Sequence, residues 1–324
     1  MKKLISIIVS VVLGVAALST VSCSASADYN VGILEPMNHV ALDAAREGFC
    51  SELNTLMSAE KKTVKYNYQN ANGDSSTMTT IVSTFISKNV DMMLTIGTGA
   101  SQTAAGQTKD IPILFTAVTD PVNAKLVESI EKPNCNVSGT SDMNPVDKQI
   151  QLIKELGVTK VALLYTSSED NSKIQIQLAE TACKKESINL GYQEYTISSV
   201  SDLESVMSQI SQGDCNGIYI PTDNTIANAT ASVHQFNMQG KKLPVVCGEE
   251  GMNSVCGIAT YAINYTELGK QTAEMAYRLL VGKEDIKKMS VEYQSGTPEL
   301  SVNQTVANEL GITIPQSVLD KVAK

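Results

Sequence analysis

The chain has 324 residues, a formal net charge of −9 and 43% hydrophobic residues, enough apolar material for two cored domains and too much for a disordered chain. Basic residues occur only in short groups such as Lys61-Lys62, so no nucleic-acid partner is expected. Only His39 and His234 are available as imidazoles and no C-x-x-C pair occurs, so neither a metal nor a cofactor is expected.

At the start of the chain, Lys2 and Lys3 precede the apolar run LISIIVSVVLGVAAL and the small-residue stretch STVSCSASAD, the three parts of an export signal. Two cuts fit. One removes a signal peptide over 1–22 and leaves Cys23 to carry a lipid, anchoring an extracytoplasmic protein to the cell membrane. The other follows the ASA at 25–27 and frees a soluble periplasmic protein beginning at Asp28. The lipoprotein cut is the reading taken forward. A retained membrane span is the third, and the run is short for one.

Beyond the signal an alternation begins. YNVGIL (29–34) predicts a strand, 39–57 an amphipathic helix, 63–69 a strand, 76–87 a helix and 90–96 a strand. A helix from near Gly99 and the strand IPILFTAV (111–118) follow, then a helix over 145–156. A second series predicts strands at 158–165, 189–197, 216–220 and 243–247, with helices at 171–187, 201–212 and 225–238 between them. Such βαβα alternation with short connections predicts an α/β protein of two doubly wound parallel-sheet lobes. The segment 264–282 is expected to return to the first lobe. The lobes are thus read as 29–141 plus 264–290 and 142–263 plus 291–324.

In open parallel sheets, ligands bind beyond the carboxyl ends of the strands, where helix N-termini present free N–H groups. Here those ends read EPMNH (35–39), GTGASQ (97–102), TAVTDP (116–121), SDMNP (141–145), TSSEDN (166–171), PTDNT (221–225) and CGEEG (247–251). One such polar cluster is an N-cap. A set spread over both series reads as two facing rims around a small zwitterion.

The stretches LDAAREGF, YQNANGDSSTMTTI, DIPILFTAVTDPV, GTSDMNPVDKQIQLIKEL, YTSSEDNS, IYIPTDNTI and YAINYTELGKQTAEMA resemble the ABC-transporter substrate-binding family that includes tryptophan- and phenylalanine-binding lipoproteins. Thr98-Gly99-Ala100-Ser101 stands where that family has T-P-A-A, and Asn38 to Asp43 stands where it has E-H-P-A-L-D. The resemblance covers the mature chain. It implies a type I periplasmic-binding fold with three hinge crossings, expected near 141–144, 262–265 and 290–297, and an amino acid held in the cleft of a monomer. It also implies permease and ATPase partners and an aromatic ligand, tryptophan or phenylalanine ahead of tyrosine.

An amino acid needs donors for its carboxylate and acceptors for its ammonium. Ser167, Ser168, Asn171 and Ser172 at one helix start, with Thr98, Gly99, Ala100 and Thr116 in the first lobe, are the candidates for the carboxylate. Asp223, between Thr222 and Asn224, is the candidate for the ammonium, with Asp142 second; a plain N-cap is the other reading of Asp223. Glu35 and His39 follow the first strand and are read as flanking the ligand side chain, with a capping or surface role for His39 as the alternative. Six cysteines follow Cys23, and Cys247 and Cys256 are the pair best placed for a disulfide; the other reading is six buried thiols.

An enzyme is not expected. Gly97-x-Gly99 lacks the third glycine of a dinucleotide loop, where Gln102 stands, and no G-x-S-x-G elbow occurs. A sensory lobe reporting to a membrane partner remains the alternative class. A different solute, such as an aliphatic amino acid, a sugar or a nucleoside, remains the alternative ligand.

Overall fold

The structure, a computed structural model, describes residues 27–322. The signal peptide and Cys23 lie outside the described residues. No described helix is long and apolar enough to cross a membrane.

The first series builds β1 (Tyr29–Glu35), α1 (Val40–Ala59), β2 (Val64–Asn70), α2 (Ser75–Ser87), β3 (Met92–Ile96), α3 (Thr98–Gln107), β4 (Ile113–Thr116) and β5 (Val137–Ser141). β3 and β4 are buried along their whole length, which is why they read as continuous apolar runs. β2 alternates polar and apolar residues and lies at the sheet edge. The apolar run expected over 111–118 ends as a strand at Thr116, because Ala117 turns the chain with a φ of 58°.

The second series comprises α4 (Val146–Glu155), β6 (Lys160–Thr166), α5 (Asp170–Cys183), β7 (Gly191–Ile197), α6 (Leu203–Gln212), β8 (Gly217–Ile220), α7 (Asn224–Ala227), α8 (Thr230–Gln239), β9 (Val245–Cys247), α9 (Glu250–Asn253) and β10 (Ala259–Ala262). The single helix expected over 225–238 is two, broken at Asn228-Ala229. The chain then forms α10 (Tyr265–Leu280), β11 (Glu292–Tyr293), β12 (Glu299–Val302), α11 (Gln304–Leu310) and α12 (Gln316–Leu319).

Two six-stranded sheets result, ordered β11-β5-β4-β3-β1-β2 and β12-β10-β9-β8-β6-β7. All pairings are parallel except β10 with β12. This is the doubly wound α/β architecture expected from the alternation. The chain passes between the sheets at 142–145, 263–264 and 294–298. β11 pairs with β5, so the first lobe extends past the boundary expected at 290/291. A two-residue edge strand has no periodicity by which a sequence reading could find it.

Each sheet reverses its winding once, between β1 and β3 and between β6 and β8. A crevice opens at such a switch point because the helices on either side depart to opposite faces. Both reversals sit at the carboxyl ends that face each other across the cleft, and they position the site.

α1 and α10 pack at backbone contact. A Cβ on Gly48 would lie 2.2 Å from the Thr266 carbonyl oxygen, and one on Gly269 would lie 2.0 Å from that of Ala45. Around this seam Leu42, Phe49, Leu268 and Met275 join the apolar core beneath the first sheet. Gly269→Ala should therefore force the helices apart and cost about 1–3 kcal/mol, read as a lower urea midpoint with an unchanged slope. A wild-type midpoint would contradict the close approach.

Candidate functional site

Between the lobes lies a small void of about 20 Å³, room for roughly one water. His39 and Leu42 at the start of α1, Thr98 at the start of α3, and Ala117 and Thr119 after β4 line it from the first lobe. Asn171, Thr222, Asp223, Asn224, Ala227 and Glu249 line it from the second, and Asp142 and Tyr265 border it from two of the crossings. A wider groove of about 610 Å³ runs past the crossings and shares only Glu249 and Tyr265 with the void. Opposite it, Thr98 and Asn171 also line a surface recess of about 210 Å³, where Gln102 Nε2 donates across the lobes to Asp170 Oδ2 at 3.2 Å.

The second lobe's share of the void is a hydrogen-bonded lattice. Asp223 is the N-cap of α7, and its carboxylate accepts from the Thr166 amide (2.6 Å), Thr166 Oγ1 (2.8 Å), Ser172 Oγ (2.8 Å) and the Ile226 amide (2.9 Å). Four donors occupy the four lone-pair positions of a carboxylate. Asp223 thus ties β6, α5 and α7 together, and it has no acceptor left for a ligand ammonium. Burial, then the nearby Glu169, raises its pKa to about 7. Glu169 accepts from five donors, the amides of Asn224 and Thr225, Thr225 Oγ1, Asn224 Nδ2 and Asn171 Nδ2. It stands at the start of its own helix, α5, yet holds the start of α7.

The crossings supply a different carboxylate. Asp142 is buried, with Oδ1 accepting from Thr119 Oγ1 at 2.9 Å and Oδ2 from the Tyr265 hydroxyl at 2.8 Å. Each oxygen keeps a second lone pair. Glu249, also buried, caps α9 by accepting from the Met252 and Gly251 amides, one per oxygen, and it too keeps acceptor capacity. Burial raises the pKa of Asp142 and lifts that of Glu249 to about 7. No lysine or arginine lines the void among the described residues. Such a site favours a cation.

Thr98 offers the opposite chemistry. Its hydroxyl is buried without a partner among the described residues, at the N-terminus of the ten-residue α3. The first amides of that helix point the same way.

Seven of the residues singled out from sequence line the void: His39, Thr98, Asp142, Asn171, Thr222, Asp223 and Asn224. The others stand elsewhere. Glu35 is buried in an ion pair with Arg46 (Nε to Oε2 2.9 Å), and Thr116 accepts from Thr140 inside the first sheet at 3.2 Å. Gly99 is exposed, while Ala100 packs into the core behind α3. Ser167 and Ser168 occupy an exposed turn inserted between β6 and α5, where Ser167 Oγ donates to the Ile197 carbonyl at 3.2 Å. Ser172 does not line the void; its Oγ donates to Asp223 Oδ2 at 2.8 Å behind it. Thr119, Glu249 and Tyr265 went unnamed in the sequence reading. Cys247 and Cys256 face one another as free thiols, with their sulfurs 3.8 Å apart.

These carboxylates set a pH dependence. An acid whose pKa rises on folding binds a proton in the folded state that the unfolded chain has already released, so stability falls as pH rises through that window. For Glu249 the window runs from 4.5 to about 7. Glu249 alone should cost the ligand-free protein about 1–3 kcal/mol between pH 5 and pH 8, with Asp223 adding a loss of the same sign, and Glu249→Gln should shrink the total. Urea unfolding at the two pH values measures it; equal or greater stability at pH 8 would contradict the assignment.

Comparison with known proteins identifies the family. A family model described as ABC transporter substrate binding protein matches residues 30–324. A tyrosine-binding protein of Clostridioides difficile (strain R20291) is 36% identical over 297 residues, 87% of this chain and 85% of that protein. The crystal structure of an ABC domain from Streptococcus pneumonia in complex with L-Trp superposes with a TM-score of 0.84 at 32% identity, covering 91% of this chain and 98% of that one. A ligand-free, open substrate-binding protein with adhesive properties from Clostridium difficile, at 34% identity and the same coverage, superposes with 0.69. The chain belongs to the ABC transporter substrate-binding protein family, whose members are extracytoplasmic solute-binding proteins working with ABC transporters.

Proposed function

We propose that this protein captures an aromatic L-amino acid between its lobes and delivers it to an ABC permease and its ATPase. The observation carrying this reading is the pair Asp142 and Glu249, buried beside the void with acceptor capacity remaining and no lysine or arginine lining it among the described residues. An ammonium supplies the missing charge. Thr98 and the N-terminus of α3 supply donors for the carboxylate. The aromatic side chain rests on the relatives, one named for tyrosine and one holding L-Trp.

An amino acid exceeds the space of about 20 Å³, so it enters through an opened form, and closing the lobes removes its water. Desolvation makes the ammonium contact costly to lose. Asp142→Ala should weaken binding by about 2–5 kcal/mol, roughly thirty- to several-thousandfold. Calorimetry against the twenty amino acids, then against the des-amino analogue of the best binder, tests this. Full affinity for the analogue would remove the ammonium from the mechanism, and tight binding of a sugar or nucleoside with no amino acid bound would overturn the reading.

The anchor is a second part of the proposal, resting on the VSC cut before Cys23. Labelled palmitate should enter the wild type and not Cys23→Ser. A wild type that never takes the label would leave ordinary cleavage before Asp28 as the processing route.

A further inference from the structure

The ring of His39 has one nitrogen engaged and one idle. Nε2 lies 3.1 Å from Asn224 Oδ1, a contact between the lobes. Nδ1 is buried and has no partner among the described residues. His39 lines the void, and although it holds the N-cap position of α1, its side chain makes no cap bond.

The network fixes which nitrogen carries the proton. Asn224 Nδ2 donates to Glu169 Oε2 at 2.8 Å. Turning that amide over would set two acceptors against each other, so Oδ1 must face the histidine. Oδ1 can only accept, and therefore Nε2 must donate. Burial holds the ring below its ordinary pKa, outweighing the Asn224 bond and the Glu169 charge. A neutral ring protonated at Nε2 presents a bare lone pair at Nδ1. That lone pair is an acceptor without a donor, beside a small void.

We infer that His39 Nδ1 accepts a hydrogen bond from the ligand's side chain, so that the site selects a ring bearing a donor, an indole N–H or a phenol O–H, over phenylalanine. This rests on the amino-acid reading above and refines it. With phenylalanine bound, Nδ1 would stay buried and unpaired. A site that hydrogen-bonds a substrate group discriminates strongly against the analogue lacking it, for this reason. Glu169 and Asn224 are then positioning residues, holding the tautomer through the Asn224 amide.

The test pairs isosteres. Wild-type protein should bind the better of L-tryptophan and L-tyrosine at least about tenfold more tightly than its donorless counterpart. The counterparts are L-phenylalanine for tyrosine and 3-benzothienyl-L-alanine, with sulfur in place of the N–H, for tryptophan. In His39→Leu that ratio should fall to about unity, because both ligands lose the His39–Asn224 contact between the lobes while the donor-bearing one also loses its own bond. An equal loss for both would place His39 at the ammonium or at lobe closure and overturn the inference. So would equal wild-type affinities within each pair. Absence of any amino-acid binding overturns the functional reading together with this one, and is told apart by a wild type that gives no heat. Nitrogen-15 NMR of histidine-labelled wild type, which has two imidazoles to assign, should show His39 protonated at Nε2 alone; a proton on Nδ1 overturns the proposal without any variant.

Discussion

Closing two sheet ends on each other takes water from every strand terminus at once, and each polar group there must then find a partner or bear the cost of lacking one. That constraint organises this molecule. In the second lobe it is met internally: Glu169 and Asp223 between them accept nine hydrogen bonds, five and four, and convert loose strand ends into a rigid wall. Around Asp142, Glu249, Thr98 and His39 it is met only in part. The unmet remainder outlines a ligand as a set of charges and donors.

The division has a topological cause. Asp142 belongs to the crossing after β5, and its partner Tyr265 opens α10 just after the next crossing. The carboxylate best placed for an ammonium therefore lies at the pivot, bonded to a residue that moves with the first lobe. Asp223, locked into one lobe by four bonds, is a wall residue.

Much of this was legible in the chain. Short apolar runs separated by amphipathic helices carry the two parallel sheets, and the polar stretches after each strand carry the location of the cleft. Finer assignments failed where a local pattern has two spatial outcomes. Ser167 and Ser168 read as a helix start, but the turn they form rotates them outward, and the inward positions fall to Asn171 and Ser172. Glu169 is the N-cap residue of its own helix, and only the fold brings α7 above it. The two glutamates of CGEEG are indistinguishable in sequence, while one is buried at the void and the other is partnered by Ser301 of β12. Tyr265 and Asp142 are 123 positions apart, beyond any periodicity.

The glycine seam between α1 and α10 bears on more than packing. α1 is a rod of twenty residues, about 30 Å, seated by Ala45 and Gly48 against α10 and carrying His39 at its cleft end. His39 lies six residues, about 9 Å, from Ala45 along that rod, so a shift at the seat is carried directly to the imidazole. The register of two backbones thus sets the height of the imidazole over the cleft, and the seat that fixes it, at Gly48 and Gly269, lies outside the void.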